Sequence, residues 1–486
     1  MENIKVDVAI VAGGASGLAA AIAAAEQDVS VAVFEKMAVT GGTANMGMGP
    51  FGVESRIQKA LMDDLTKEKA FELMMDYTHW GVDARLVRDY FWKSGSTIDW
   101  LEDMGVVFDR PTKYYPGGCA TWHVVKPEDG GAPGPRAASA MIKVMTRRAT
   151  DLGVKIYLET PVKEILTRDN AVVGLKAQSA GGTEYMVEAK AVIVATGGFG
   201  HNNEMIKEFT GYTFGEDLFS MQIPGLAGEG LRMAWAAGAG KGRMSMEKIT
   251  SSPIGGSNKY LSFRTFGQPR ALMVNRLGER VMNEFELRNG AVTANVIDRQ
   301  PGRFCYQIMD DKIIRHYIKH GLEIDDTVFR FNLAEHFYDE LEGMLADYPE
   351  DMFAADSIEE LEQKLGIPQG ELVNTVEEYN DCCEERYDDI LLKDRQYLQV
   401  LEGKRFYAVR VFCGAYGSLG GIRVNHKLEV LDENWEKIRG FYASGTDVCD
   451  LYNGTYQYLL AGNTMGFAVN SGRIAGENAA VYAETL

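Results

Sequence analysis

The sequence predicts an α/β protein, three-layered around a parallel central sheet with a second, α+β domain inserted. Three observations carry this. The first fifty residues read as strand, glycine turn, helix and strand. A second apolar strand ending in glycines recurs at 191–199. From 245 to about 400 the chain turns acidic and helix-rich, and the remaining residues resume the first pattern. The expected domains are 1–244 and 401–486, forming one Rossmann-like domain, and 245–400, a capping domain for the substrate.

Val6 to Val11 is an apolar run of strand length, and Ala12-Gly13-Gly14-Ala15-Ser16-Gly17 is a tight turn. Leu18 to Gln27 is alanine-rich and helix-prone, and Val29 to Phe34 is a second strand that ends on Glu35. An acid about 20 positions beyond the turn completes the dinucleotide-binding layout. Glycines let the backbone approach a pyrophosphate, and the helix N-terminus supplies amides and its positive dipole end. Glu35 would accept from both hydroxyls of an adenosine ribose and repel a 2'-phosphate. The G-x-G-x-x-G pattern wants glycine where Ala12 stands, and the turn survives with alanine if its φ is negative. Thr40 to Gly49 is a long glycine-rich loop of small residues, as the ribityl chain and ring of an FAD require. It contains no histidine for a covalent link, so the FAD is expected to be bound non-covalently.

A chain of 486 residues can build two or three sizeable cores. The net charge of -19 argues against nucleic acid and anionic membranes as partners. No run reaches membrane-helix length, and the N-terminus enters the first strand without a basic leader, so a cytoplasmic protein is expected. The cysteines (Cys119, Cys305, Cys382, Cys383, Cys413, Cys449) form no C-x-x-C, and His316 and His320, four apart, have no third ligand. No metal is expected. His123, beside Trp122 in a Gly/Pro-rich loop over 111–135, reads as a loop hydrogen-bonding residue.

Residues 55–105 read as helices, 138–152 as a helix and 155–158 as a strand. Ala171–Lys176 and Glu184–Val187 read as a hairpin with Gly181-Gly182 at its turn. The separate strand from Ala191 leads to Ala195-Thr196-Gly197-Gly198, where the backbone can pass close to a cofactor. Ser357-Ile358-Glu359-Glu360 is a capping box. Gly440 to Asp447 reads as a strand ending on an acid, and Ala461 to Gly466 opens a helix expected to run to about Ala480. A helix N-terminus under the flavin would stabilise its anionic reduced form.

These motifs, in order E-K…G-G-T-A, A-T-G-G-F, V-N-R-L-G-E-R-V-M-N-E, S-I-E-E-L-E-Q-K-L-G-I and A-G-N-T-M-G…G-R-I-A-G-E-N-A-A, resemble the flavoproteins of the fumarate reductase and succinate dehydrogenase family over nearly the whole chain. The resemblance implies FAD contacts at Ala15, Ser16, Glu35, Lys36, Thr43, Ala44, Gly49, Val162, Gly197, Asp447, Asn463, Thr464 and Met465. It implies that Arg288 is the retained catalytic arginine. Three other substrate-binding positions depart: the family's two histidines fall on Ser252 and Tyr416, and its carboxylate-binding arginine falls on Leu459.

A buried carboxylate without its cation costs about 3–5 kcal/mol, which argues against a dicarboxylate substrate. Tyr114, Tyr115, Trp122, Tyr416, Tyr452, Tyr456 and Tyr458 are expected in loops near the cleft, and suit a flat, mostly uncharged ring system. Arg288, Tyr416 and Tyr456 are the candidate catalytic groups, with Glu284 or Glu286 as a proton relay. The stretch 451–463 is similar to the tetrahydrodaidzein reductase group of the family, which implies reductive loss of a 4-hydroxyl. A 3-ketosteroid dehydrogenase is the alternative within the class; a flavin-containing lyase or an electron-transfer subunit is the alternative outside it. No second dinucleotide fingerprint is present, so electrons would come from transiently bound NAD(P)H, a donor reductase or a second substrate molecule.

Overall fold

The computed structural model describes residues 1–256, 259–324, 332–448 and 451–486. Cys449 lies outside the described residues. The chain divides into two compact units. One holds residues 1–210, 222–246 and 417–486, and the other holds 211–221 and 247–416.

In the first unit, strand Glu2–Val11 lies parallel to both Glu184–Val194 and Val31–Phe34, with Val11 opposite Val194 and Phe34. Val8 to Val11, Val31 to Phe34 and Ala191 to Val194 are all buried, which is why each reads as an unbroken apolar run. Among the described residues the sheet runs Glu429–Leu431, Lys437–Ala443, Ala171–Gln178, Glu184–Val194, Glu2–Val11, Val31–Phe34, Lys155–Tyr157. Val162–Arg168 pairs antiparallel with Ala171–Gln178.

The hairpin strand over 184–187 and the strand beginning at Ala191 are one strand, Glu184–Val194. Glu188 is exposed and Lys190 half-buried, and this polar interruption hid the continuity. The strand's outer half exchanges hydrogen bonds with Ala171–Gln178, Gly174 opposite Glu188, and its length follows Glu2–Val11.

Helix Ala15–Ala25 is buried at every position, because the C-terminal helix Asn463–Glu484 lies directly on it. A Cβ on Gly472 would sit 2.1 Å from the Ser16 carbonyl oxygen, and one on Gly476 would sit 2.3 Å from that of Ala20. The four-residue spacing sets both glycines on one helix face, so the two backbones meet without side chains between them.

In the second unit, among the described residues, strands run in the order Met352–Ala355, Phe406–Ile422, Phe304–Asp310, Leu272–Val274. Leu218–Ser220 also pairs with this sheet, Leu218 opposite Cys413. The expected boundary at 400/401 therefore moves to 416/417. Phe406 to Phe412 pairs antiparallel with Asp310 to Phe304 instead of returning to the first sheet. The short strand at 218–220 takes 211–221 out of the first unit in the same way. At the capping box, Ser357 Oγ accepts from the Glu360 amide at 3.2 Å, but the Glu360 carboxylate turns to the Asp356 amide at 2.7 Å, one residue earlier than the motif requires.

Gly472→Ala tests the helix contact. Glycine to alanine inside a helix ordinarily stabilises by about 1 kcal/mol. Here the sign is expected to reverse, with a loss of about 1–3 kcal/mol in urea unfolding.

Candidate functional site

The glycine turn differs from its expectation at one residue. Ala12 adopts φ +80, not a negative value. A left-handed alanine costs about 1–2 kcal/mol. The turn is held around it: the Ala12 amide donates to the Phe34 carbonyl at 2.9 Å, and a Cβ on Gly17 would stand 2.0 Å from the Ala12 carbonyl oxygen. Glu35 is buried, and its two oxygens accept from the Gly13 and Met37 amides, each at 2.7 Å. The carboxylate is thus fixed beside the turn. No side chain caps the helix that starts at Ala15, so its first amides are available to an anion. Ser16 Oγ donates to Ser444 Oγ at 2.6 Å.

Five further family-implied positions of this unit have different roles. Lys36 forms an ion pair with Glu229 at 2.8 Å. Thr43 and Ala44 lie in the 3-10 turn Gly42–Met46, Thr43 exposed. Gly49 is buried, with no room for a Cβ, which would stand 1.9 Å from the His123 carbonyl oxygen. Val162 is buried at the start of its strand.

Asp447 is buried and gathers the A-T-G-G turn. Its carboxylate accepts from the Thr196 and Gly197 amides, from Gly198 at 2.7 Å, and from the Thr196 hydroxyl. Burial pushes the carboxyl pKa up, against the pull of these donors. Helix Asn463–Glu484 also starts without a side-chain cap. Asn463 is fully buried; its Oδ1 accepts from Tyr452 at 2.8 Å, while Nδ2 has no hydrogen-bond partner. The Met465 methyl would stand 2.3 Å from a Cβ on Gly47, so these two residues fit only with glycine at 47. An anchored acid beside a left-handed turn, two uncapped helix N-termini and one orphaned buried amide in a single unit fit an FAD: pyrophosphate on Ala15 and Ser16, ribose on Glu35, ring edge on Asn463 to Met465.

The aromatic residues of the same unit form a continuous wall. Ring centroids are 5.9 Å apart for Trp122 and Tyr114, 4.3 Å for Tyr114 and Tyr458, 4.9 Å for Tyr458 and Tyr456, and 5.5 Å for Tyr456 and Tyr452. The wall meets the helix N-terminus, where the Thr464 amide donates to the Tyr456 phenol oxygen at 3.2 Å. Tyr416 departs from expectation: it lies in strand Phe406–Ile422 of the second unit, not in a loop.

Arg288 ends the 3-10 helix Glu284–Arg288 in the second unit. Its guanidinium lies 4.0 Å from the Phe285 ring and 3.2 Å from Glu286. Glu284, the other relay candidate, is fully buried and already engaged, 2.7 Å from Arg280 and 3.3 Å from Lys393. Arg280 also pairs with Asp388 at 2.8 Å, which helps hold that carboxyl at about 2 despite burial. Although burial opposes ionisation of Glu284, Lys393 and Arg280 keep its pKa low. Glu284 therefore anchors the helix that carries Arg288, and Glu286 is the acid beside that arginine.

His123 is buried, with Nδ1 3.1 Å from the Thr121 carbonyl and Nε2 2.8 Å from Ser55 Oγ. A carbonyl only accepts, so Nδ1 carries the proton and Nε2 accepts from the serine. Sequence reasoning missed the hydroxyl contacts of Ser444 with Ser16 and of Thr196 with Asp447, whose partners lie far away in sequence; it also missed Ser55, which caps a short helix with Gln58 and meets His123. The four-residue spacing of Gly472 and Gly476 is the sequence signal for the close helix packing.

The chain matches a family described as FAD binding domain over residues 7–465. It is 30% identical to the vinyl phenol reductase of Lactiplantibacillus plantarum, over 98% of this chain and 96% of that protein. It is 28% identical to the NADH:fumarate oxidoreductase of Klebsiella pneumoniae over 98% of this chain, and spans about half of that longer protein (47%). Among solved structures, an open conformation of a flavocytochrome c3 fumarate reductase superposes with a TM-score of 0.68 at 24% identity, covering 99% of this chain and 79% of that one.

Burial lowers the His123 pKa to about 4, the Thr121 carbonyl opposing. The folded value lies below the unfolded value of 6.5. His123 thus leaves stability unaffected above pH 6.5, and stability is lost as pH falls from 6.5 towards 4, by about 1.4 kcal/mol per pH unit. Urea unfolding across that window is expected to be flatter for His123→Gln.

Proposed function

The chain belongs to the FAD binding domain family of fumarate reductase-like flavoproteins and is an FAD-dependent oxidoreductase; on that premise we propose that it reduces a flat, uncharged phenolic ring system, tetrahydrodaidzein being the first candidate and a vinyl phenol the second. The observation that carries the reading is the tyrosine wall. Tyr452, Tyr456 and Tyr458 are buried, they reach the N-terminus of the helix that begins at Asn463, and Leu459 stands among them in place of a carboxylate-binding arginine. Phenol faces stack on aromatic faces, and tyrosine hydroxyls exchange hydrogen bonds with phenol hydroxyls. A dicarboxylate would find neither. The similarity to a vinyl phenol reductase supports a substrate bearing a phenol.

Bound FAD, when reduced, supplies a hydride. This chain's residues bind and prepare the substrate. The wall holds the ring so that its phenol can push electrons toward the reacting carbon. In an isoflavan-4-ol, the Arg288 guanidinium polarises the benzylic oxygen. Arginine stays protonated, so the proton is assigned to Glu286, 3.2 Å away. The C–O bond breaks, water leaves, and the phenol loses its proton to give a quinone methide. Hydride adds to the carbon, and the phenol regains a proton. In a vinyl phenol the same polarised ring accepts hydride and proton across the double bond. Tyr416 and Tyr456 are assigned to phenol binding or proton transfer. Electron supply is assigned to NAD(P)H or a separate reductase, distinguished by whether NADH alone bleaches the flavin.

Two outcomes are expected. Dithionite-reduced protein, followed anaerobically at the flavin band, is reoxidised by tetrahydrodaidzein or 4-vinylphenol and not by fumarate or a 3-ketosteroid; reoxidation by fumarate alone would overturn the substrate class. Arg288→Ala lowers kcat about 100- to 1,000-fold with FAD still bound; unchanged turnover would remove Arg288 from the mechanism.

A further inference from the structure

Three tyrosines of the wall, Tyr452, Tyr456 and Tyr458, stand on a segment with little regular structure of its own. Among the described residues, 451–460 has no helix or strand, only turns, bends and a single bridge at Leu460. The places of Tyr452, Tyr456 and Tyr458 therefore depend on what grips this backbone from outside. Two grips recur on one neighbouring turn. Asn453 Nδ2 donates to the Thr78 carbonyl at 2.9 Å, and Asn453 Oδ1 accepts from the Arg243 guanidinium, which also reaches the Gly81 carbonyl at 3.4 Å. The Tyr77 hydroxyl donates to the Tyr456 carbonyl at 2.9 Å.

Both turns are shaped for this contact. Asn453 takes φ +34, in the left-handed region that asparagine enters more readily than most residues. His79 and Trp80 are left-handed as well, at φ +49 and +57. Thr78 is buried, its hydroxyl tied to the Met74 carbonyl at 2.8 Å. A Cβ on Gly81 would stand 2.3 Å from Asn453 Nδ2. Asn453, His79 and Trp80, three left-handed non-glycine residues in two touching turns, are a costly arrangement that the surrounding contacts must maintain.

We propose that Tyr77 and Asn453 are positioning residues for substrate recognition, fixing the tyrosine wall at its pivot, Tyr456; the inference rests on reading that wall as the phenol-binding surface. Tyr456 is held at both ends. Its carbonyl takes the Tyr77 hydroxyl, and its phenol oxygen takes the Thr464 amide at the start of the C-terminal helix. A shift of its backbone moves its ring against Tyr458 and Tyr452 together. A displacement of about 1 Å from a residue outside the chemistry is enough to cost recognition and rate. The Thr78–Gly81 turn thereby sets the distance between bound phenol and helix N-terminus, and so which phenolic skeletons fit.

The test uses the FAD-loaded full chain and 4-ethylphenol as probe, titrated by flavin difference spectrum. Tyr77→Phe removes one hydroxyl and keeps the ring. Asn453→Gly removes both side-chain bonds and tolerates the backbone conformation. Each is expected to weaken 4-ethylphenol binding about fivefold or more, with FAD content and melting temperature unchanged. Asn453→Asp, which keeps the Arg243 contact, is expected to fall between wild type and Asn453→Gly. Unchanged binding in Tyr77→Phe and Asn453→Gly would overturn the inference, as would a loss that only tracks lost FAD or lowered melting temperature. Tyr456→Ala and Tyr458→Ala separate the two levels. If they weaken binding and the turn variants do not, the inference alone fails. If wild type does not bind 4-ethylphenol, or these two variants bind it as wild type does, the phenol reading fails and takes the inference with it.

Discussion

Two helix backbones in contact organise the first unit. Because Gly472 and Gly476 carry no side chain, the C-terminal helix lies against the carbonyls of Ser16 and Ala20. A helix from the far end of the sequence is thereby locked to the one that follows the first strand. Both helices begin uncapped, one at Ala15 and one at Asn463, and each offers its first amides and the positive end of its dipole. The link between Ser16 and Ser444, and the grip of Asp447 on the Thr196–Gly198 turn, tie the loops before the second helix to the same frame. A dinucleotide with a central pyrophosphate and an electron-accepting ring at one end suits such a pair of helix starts.

Much of this was legible in the sequence, and for identifiable reasons. The strand–turn–helix–strand opening was readable because its runs are short, apolar and bounded by glycines, and Glu35 is a close sequence neighbour of the turn it serves. The sign of φ at Ala12 was not readable. Local preference disfavours a left-handed alanine, and only the tertiary bonds around it, to Phe34 and past Gly17, override that preference. The single strand Glu184–Val194 was read as two because Glu188 and Lys190 interrupt its apolar run. Residues 401–416 were expected with the first unit and group with the second, because the pairing of Phe406–Phe412 with Phe304–Asp310 spans about a hundred residues and nothing local announces it.

The candidate site was legible by residue type more than by role. The tyrosines stood out by composition; in the structure the rings of Trp122, Tyr114, Tyr458, Tyr456 and Tyr452 follow one another in contact, while Tyr416 belongs to a strand of the other unit. Charge chemistry separated the two relay acids only in three dimensions. Glu284 sits in a buried quartet with Arg280, Asp388 and Lys393, where a proton would break the pairing, and Glu286 sits in a half-exposed pair with Arg288.

The central claim is that the surface at the start of the C-terminal helix recognises a phenol and not a carboxylate. A side-by-side titration of the FAD-loaded wild-type protein with 4-ethylphenol and with succinate, read by flavin difference spectra, tests it most directly. The account predicts a saturable perturbation with 4-ethylphenol and none with succinate. A saturable response to succinate with none to 4-ethylphenol would contradict it.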